Sequence, residues 1–202
     1  MGGFPAVRMV EWSRPAPATS RLFIAASPAG VTPQAFAAAL EPLREGPNLR
    51  WLSPEKRHFT LRFLGQVPDS QRSAISQACA ATAAESPAFD LVLAGAGAFP
   101  RKSRATVLWI GVSQGEAELV RLAAGLDAGL VALGFQPEGR PFVPHLTVAR
   151  SRQPQQLTAA VDALASLRLS GCVRSIELIR SHLGGRESSY ETLGSFVLQR
   201  VS

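Results

Sequence analysis

The sequence predicts a mixed fold of helices and strands, built as two related lobes around a shared cleft. Three observations predict it. Apolar strand-like runs alternate with Ala- and Leu-rich helical stretches from about residue 21 onward. The order helix, motif strand, helix, strand, strand describes residues 32–112 and again residues 116–199. Each of those stretches also carries one copy of a short phrase, His58-Phe59-Thr60-Leu61 in the first and His145-Leu146-Thr147-Val148 in the second. Repeated units of this kind bring equivalent strands together across a common centre.

The elements follow from local chemistry. Residues 1–20 are rich in Pro and small residues without a period and are expected to be a disordered extension, leaving residues 21–202 as one bilobal domain. Arg21–Ala26 reads as a buried strand. Thr32 before Pro33 is an N-cap and first-turn pair, opening a helix to about Arg44. Trp51–Glu55 reads as a connector and Lys56–Leu64 as the first motif strand, stopped by Gly65 and Pro68. A helix from Asp69 or Ser70 to Glu85 precedes strands at Phe89–Leu93 and Thr106–Val112, which are separated by the basic loop Pro100–Arg104. Glu116–Leu133 is an amphipathic helix ended by Gly134, and Pro141–Arg150 holds the second motif. A helix over Pro154–Leu164 and strands near Arg168–Arg180 and Tyr190–Gln199 complete the chain.

With 46% hydrophobic and 18% charged residues, the 202-residue chain can bury an adequate core. A formal charge of +6 favours an anionic partner, phosphates first among them. Cys79 and Cys172 make neither a disulfide framework nor a metal set, and three histidines without neighbouring carboxylates or thiols are a poor zinc site. There is no Walker-type phosphate loop and no apolar run long enough to span a membrane. The expectation is a cytoplasmic protein without metal or cofactor.

The repeated phrase carries the chemistry. Residues two apart on a strand share a face, so His58 sits beside Thr60 and His145 beside Thr147. Each pair offers a titratable imidazole and a hydroxyl. Two imidazoles flanking one phosphodiester can serve as proton donor and proton acceptor in an in-line displacement, while the hydroxyls bind non-bridging oxygens. Arg62, two places beyond Thr60, is expected on the same face as a phosphate contact. Arg150 is a second candidate, although ideal alternation places it on the opposite face. The symmetry of the phrases leaves the donor and acceptor unassigned. His182 lacks the following Thr and is expected to be structural.

At these residues the chain resembles the two-histidine phosphoesterases, specifically the RNA 2′,3′-cyclic phosphodiesterases of the LigT-like or ThpR type. The resemblance covers about residues 21–199. It rests on Arg21-Leu22-Phe23-Ile24-Ala25, Trp51, His58–Gly65, Phe99-Pro100, Val107–Val112, Arg140–Arg150 and a tail with Ser181, Leu183, Tyr190, Leu193, Phe196 and Leu198. It implies a bilobal α+β fold, two pseudo-symmetric lobes each with an antiparallel sheet and helices packed outside, and a central cleft carrying two HxTx motifs. It also implies metal-independent hydrolysis of a terminal 2′,3′-cyclic phosphate on RNA, or of a cyclic nucleotide, to a 2′-phosphomonoester. Carried over, His58 is the proton donor, His145 the proton acceptor, and Thr60 and Thr147 bind phosphate. Two other functions compete: 2′–5′ ligation of a 2′,3′-cyclic phosphate end to a 5′-hydroxyl, and a non-catalytic RNA-end-binding module using the Arg101–Arg104 loop. The duplication gives one chain both motifs, so a monomer is expected.

Overall fold

The computed structural model of the chain describes residues 18–182, 184 and 188–200. The expectation of a disordered extension therefore lies outside the described residues over 1–17, as does Leu183 of the tail. Strand β1 spans Thr19–Ala26 and is buried on both faces: Leu22, Ile24 and Ala26 enter the main core, while Phe23 and Ala25 join Ile179 in a separate cluster. Helix α1, Pro33–Leu40, is capped as expected, with Thr32 Oγ1 accepting from the Ala35 amide at 3.1 Å. It stops short of Arg44 and passes into a 3-10 turn over Glu41–Leu43, at Pro42, which has no amide hydrogen to continue it.

The expected connector contains a two-residue strand, β2 (Arg50–Trp51), and a 3-10 turn over Pro54–Lys56. β3 then runs Phe59–Pro68, so His58 stands just before the strand. α2 is Arg72–Glu85, β4 Phe89–Phe99, β5 Ala105–Gln114 and α3 Glu116–Val131. β4 continues well past Leu93. A Cβ at Gly97 would lie 2.1 Å from Cζ2 of Trp109, so glycine there lets the strand persist beneath the indole. β6 is Leu146–Gln155, beginning after Pro141 and Pro144 and moving the start of α4 (Thr158–Ala163) beyond Pro154. β7 (Arg168–Val173), β8 (Ser175–His182) and β9 (Ser189–Val197) follow.

The nine strands of the described residues belong to one sheet of antiparallel pairs in the order β7-β4-β5-β6-β3-β1-β8-β9, with β2 also on β6. It divides into two four-stranded halves, β7-β4-β5-β6 and β3-β1-β8-β9. They meet where β3 adjoins β6, through the facing pair Phe59 and Leu146. This is the expected α+β architecture of two antiparallel halves. The halves interleave the chain: β3 lies with β1 and the C-terminal strands, whereas β4 and β5, which follow it in sequence, lie with the second motif strand.

One large core joins the helices to the sheet, with Phe59, Leu91, Leu108, Leu126, Leu146 and Ile176 all fully buried. α2 packs on α3, β8 and β9, and α3 packs along β3 and β5 beside the junction of the halves. Burial pushes the Cys79 thiol of α2 up to about 12, which keeps it an inert apolar group. Among the described residues no helix is long and apolar enough to cross a membrane.

Candidate active site

The junction of the two halves assembles the repeated phrases. Phe59 and Leu146 face each other and are fully buried, so the flanking residues turn the other way. Antiparallel register then sets His58 across from Thr147 and Thr60 across from His145. Extended by one residue on each side, this register turns each histidine towards the threonine of the other phrase and sets the two imidazoles on one diagonal. Diagonal neighbours on a sheet face are roughly 7–8 Å apart, a gap that a phosphate can occupy.

Each imidazole rests on aromatics of its own half. His58 stacks on Phe23 with ring centroids 5.0 Å apart and meets the edge of Tyr190 at 5.5 Å. His145 stands perpendicular to Phe99 at 5.0 Å and tilted to Trp109 at 6.0 Å. His145 Nδ1 lies 2.8 Å from the Val143 carbonyl oxygen. Donation from Nδ1–H to that oxygen leaves Nε2 of the neutral ring as a proton acceptor. Burial and the Arg150 guanidinium together depress His58 to about 4, so without an anion beside it the ring is neutral at pH 7.

Two adjoining cavities carry the histidines. One, of about 380 Å³, is lined by His58, Thr60, Phe23 and Tyr190 together with four cationic side chains, Arg21, Arg50, Lys56 and Arg150. Among the described residues no carboxylate lines it. The other, of about 570 Å³, holds His145 and is largely apolar, walled by Phe99, Phe142, Val143 and Val120. Thr60 and Phe63 line both, and Phe63 is 63% exposed at the boundary.

The two candidate arginines line different cavities, for one structural reason. In β3, Thr60 faces Ala25 and Arg62 faces Ile24, so Leu61 is an extra residue. In β6, Thr147 faces Trp109 and Ala149 faces Leu108, which leaves Val148 extra. Both motif strands thus bulge at the residue after the threonine, and the alternation of faces shifts by one beyond it. Arg62 borders the His145 cavity and is absent from the lining of the His58 cavity. It is only 9% exposed, with Nη1 donating to Glu138 Oε2 at 2.7 Å, Nε 3.3 Å from Asp127 Oδ1, and Nη2 donating to the Gln136 carbonyl. Its guanidinium ties the segment after α3 to β3. By the same shift Arg150 enters the cavity with His58, and Phe63 occupies the equivalent position on β3.

A family model described as the 2′-5′ RNA ligase superfamily matches residues 32–185. The chain belongs to that superfamily. A protein of Aeropyrum pernix named RNA 2′,3′-cyclic phosphodiesterase is 36% identical over 152 residues, covering 73% of this chain and 85% of that one. A Geobacillus stearothermophilus protein of the same name is 36% identical over 154 residues, which cover 75% of this chain but only 48% of the longer relative. Among solved structures, a Thermus thermophilus protein is 27% identical with a TM-score of 0.68, covering 88% of this chain and 97% of that one. E. coli LigT complexed with 3′-AMP superposes with a TM-score of 0.69 over 90% of this chain and 99% of its own, at 24% identity, and shares the fold.

For this superfamily member the sequence left the aromatic and cationic surroundings unchosen. Phe23, Tyr190, Phe99 and Trp109 come from β1, β9, β4 and β5, and only strand pairing brings them to the histidines. Arg50 and Lys56 arrive with β2 and the turn after it. Among the described residues no group of three His, Cys, Asp or Glu is placed to hold a metal ion. His182 is bound at the end of β8, its Nε2 3.0 Å from Glu191 Oε2. The Arg101–Arg104 loop lines neither histidine cavity. Gly111-Val112-Ser113-Gln114-Gly115 has the spacing of a nucleophile elbow, yet Ser113 lies within β5, the turn to α3 falls at Gly115, and Ser113 lines neither cavity.

Proposed function

We propose that the protein hydrolyses the 2′,3′-cyclic phosphodiester at an RNA terminus, or in a cyclic nucleotide, to a 2′-phosphomonoester. The observation that carries this reading is the pairing of Phe59 with Leu146, which brings both His/Thr phrases to the junction of the two halves. Relatives that carry the name RNA 2′,3′-cyclic phosphodiesterase support it. In the proposed reaction, His145 Nε2 takes a proton from a water that attacks phosphorus. The P–O3′ bond breaks in line, and His58 gives a proton to the departing O3′. Thr60 and Thr147 donate to the non-bridging oxygens, and Arg150 balances their charge. Each proton transfer is worth roughly 10²–10⁴-fold.

Donation by His58 requires that it gain a proton when substrate binds. From about 4 to pH 7 this costs about 4 kcal/mol. A phosphate anion about 4 Å from an imidazolium contributes about 4 kcal/mol at an effective dielectric near 20. The anion also offsets the Arg150 field that depresses the ring. The two magnitudes are comparable, so an anion beside the ring favours loading of the donor. A single chain, acting in the cytoplasm, completes this site.

Purified protein given a 2′,3′-cyclic nucleotide in EDTA should release the 2′-nucleotide, and His58→Ala and His145→Ala should each abolish turnover. A 3′-nucleotide product, or a near-normal rate in either variant, would overturn the mechanism. Including an RNA with a 5′-hydroxyl tests ligation in the same vessel: a joined product exceeding the hydrolysed one would make ligation the principal reaction.

A further inference from the structure

Beyond the His58 cavity lies a groove of about 640 Å³, lined by Asn48, Arg50, Thr106, Arg150, Arg152 and Gln153 among others. It shares Arg50 and Arg150 with the cavity, so the two adjoin. Together they present Arg21, Arg50, Lys56, Arg150 and Arg152 and, among the described residues, no carboxylate. The groove is a constructed feature. Val107 faces Arg150 and Ala105 faces Gln155, so Thr106 alone opposes the four residues Ser151–Pro154. That excursion is held by Ser151 Oγ donating to the Gln153 carbonyl at 2.7 Å, and Gln155 Nε2 anchors it to the Asn48 carbonyl at 2.7 Å. It carries Arg152 and Gln153 out of the ladder as exposed side chains along the groove.

We infer that this groove binds the backbone of the single-stranded RNA preceding the terminal nucleotide, so that the strand leaves the centre on the His58 side past Arg152 and Gln153. The inference rests on the proposed hydrolysis and adds the path of the strand. A terminal cyclic phosphate occupies the His58 and His145 centre. The chain leaving its ribose through the 5′ oxygen carries one negative charge per nucleotide and needs a path free of carboxylates. The cationic groove supplies that path, whereas the cavity at His145 is largely apolar and sets Asp127 and Glu138 against Arg62 and Arg140. Asn48, Thr106, Gln153 and Gln155 add uncharged hydrogen-bonding groups suited to phosphate and ribose oxygens without reading base sequence.

The test compares 2′,3′-cyclic AMP with a five-nucleotide RNA ending in a 2′,3′-cyclic phosphate. Wild-type protein should show a kcat/KM at least tenfold higher for the oligonucleotide. Arg152→Gln should lower that value about fivefold to tenfold while changing turnover of cyclic AMP by less than twofold. Gln153→Glu, which places a carboxylate in the path, should act in the same direction. The logarithmic salt dependence for the oligonucleotide should also become shallower by about one unit in Arg152→Gln. Equal values for the two wild-type substrates, or equal losses on both in the variants, would overturn the groove while leaving hydrolysis intact. Binding of the same RNA ending in a 2′-phosphate, followed by fluorescence anisotropy, separates the two ideas. Weaker binding by Arg152→Gln in a protein that turns over neither substrate would support the groove and remove the catalytic reading.

Discussion

Phe59 of β3 faces Leu146 of β6, and this fully buried pair joins the two halves of the sheet at the point where both His/Thr phrases begin. Core packing and site geometry therefore share one rung. Phe59→Ala is expected to cost about 3–5 kcal/mol through lost burial and a residual cavity, measured by urea unfolding. Phe59→Leu, which keeps most of the volume, should cost clearly less. If hydrolysis depends on this register, Phe59→Ala should also lose turnover under conditions where the variant remains folded.

His58 links stability to pH. Its folded value of about 4 lies below the 6.5 of the free side chain. Between those values the unfolded chain binds a proton that the folded chain refuses, so stability is retained above about pH 6.5 and lost as pH falls towards 4. The full effect is at most about 3 kcal/mol at 1.36 kcal/mol per unit. His58→Gln should flatten this part of the profile, read as the change in urea midpoint between pH 7 and 4.5. An unchanged slope would mean that the ring is not held neutral.

Arg62 and Arg150 show how far the sequence could be read and where it stopped. The helix cap at Thr32, most strands and the paired phrases were legible because they rest on local chemistry and a period of two. The face on which each arginine lies was not. It depends on bulges at Leu61 and Val148, which arise when β3 pairs with β1 and β6 with β5, partners distant in sequence. The same holds for the interleaved strand order and for the aromatics around each imidazole. Local alternation placed Arg62 on the face of Thr60 and Arg150 on the face opposite Thr147; pairing shifts both, so that Arg150 joins the His58 cavity and Arg62 is held by Asp127 and Glu138 at the border of the His145 cavity.

Arg62→Met should therefore behave as a structural change. It removes the partner of Asp127 and Glu138 and should cost about 1–3 kcal/mol, the range for hydrogen bonds to charged groups and their loss. Thermal unfolding would show this as a lowered midpoint. Turnover by the folded fraction should stay within a few-fold of wild type. A rise in KM of a hundredfold with unchanged stability would instead return Arg62 to the phosphate.

Arg150→Gln should do the opposite. Removing a cation beside His58 favours the imidazolium, so the His58 resonance should titrate above about 4 in the NMR spectrum of the variant. Burial, the larger cause, remains, and the ring should stay below its free value. Affinity for inorganic phosphate should fall, because the guanidinium lines the same cavity. A His58 titration identical to wild type would show that Arg150 does not act on the ring.

Phosphate binding should move His58 in the same direction by a different route. Adding the 2′-nucleotide product places an anion at the centre, and the His58 titration should rise from about 4 towards neutrality. If the loaded ring is the donor, kcat should fall as pH rises past the value in the complex, while the limb of kcat/KM that reports the free ring stays acidic. If His58 were instead the acceptor, kcat would fall as pH drops below its value in the complex. The His145 ring, whose Nδ1 is engaged by Val143, would then have to supply the proton from Nε2. The sign of the wild-type pH dependence of kcat across the His58 titration in the complex thus separates the two assignments that near-symmetric phrases leave open.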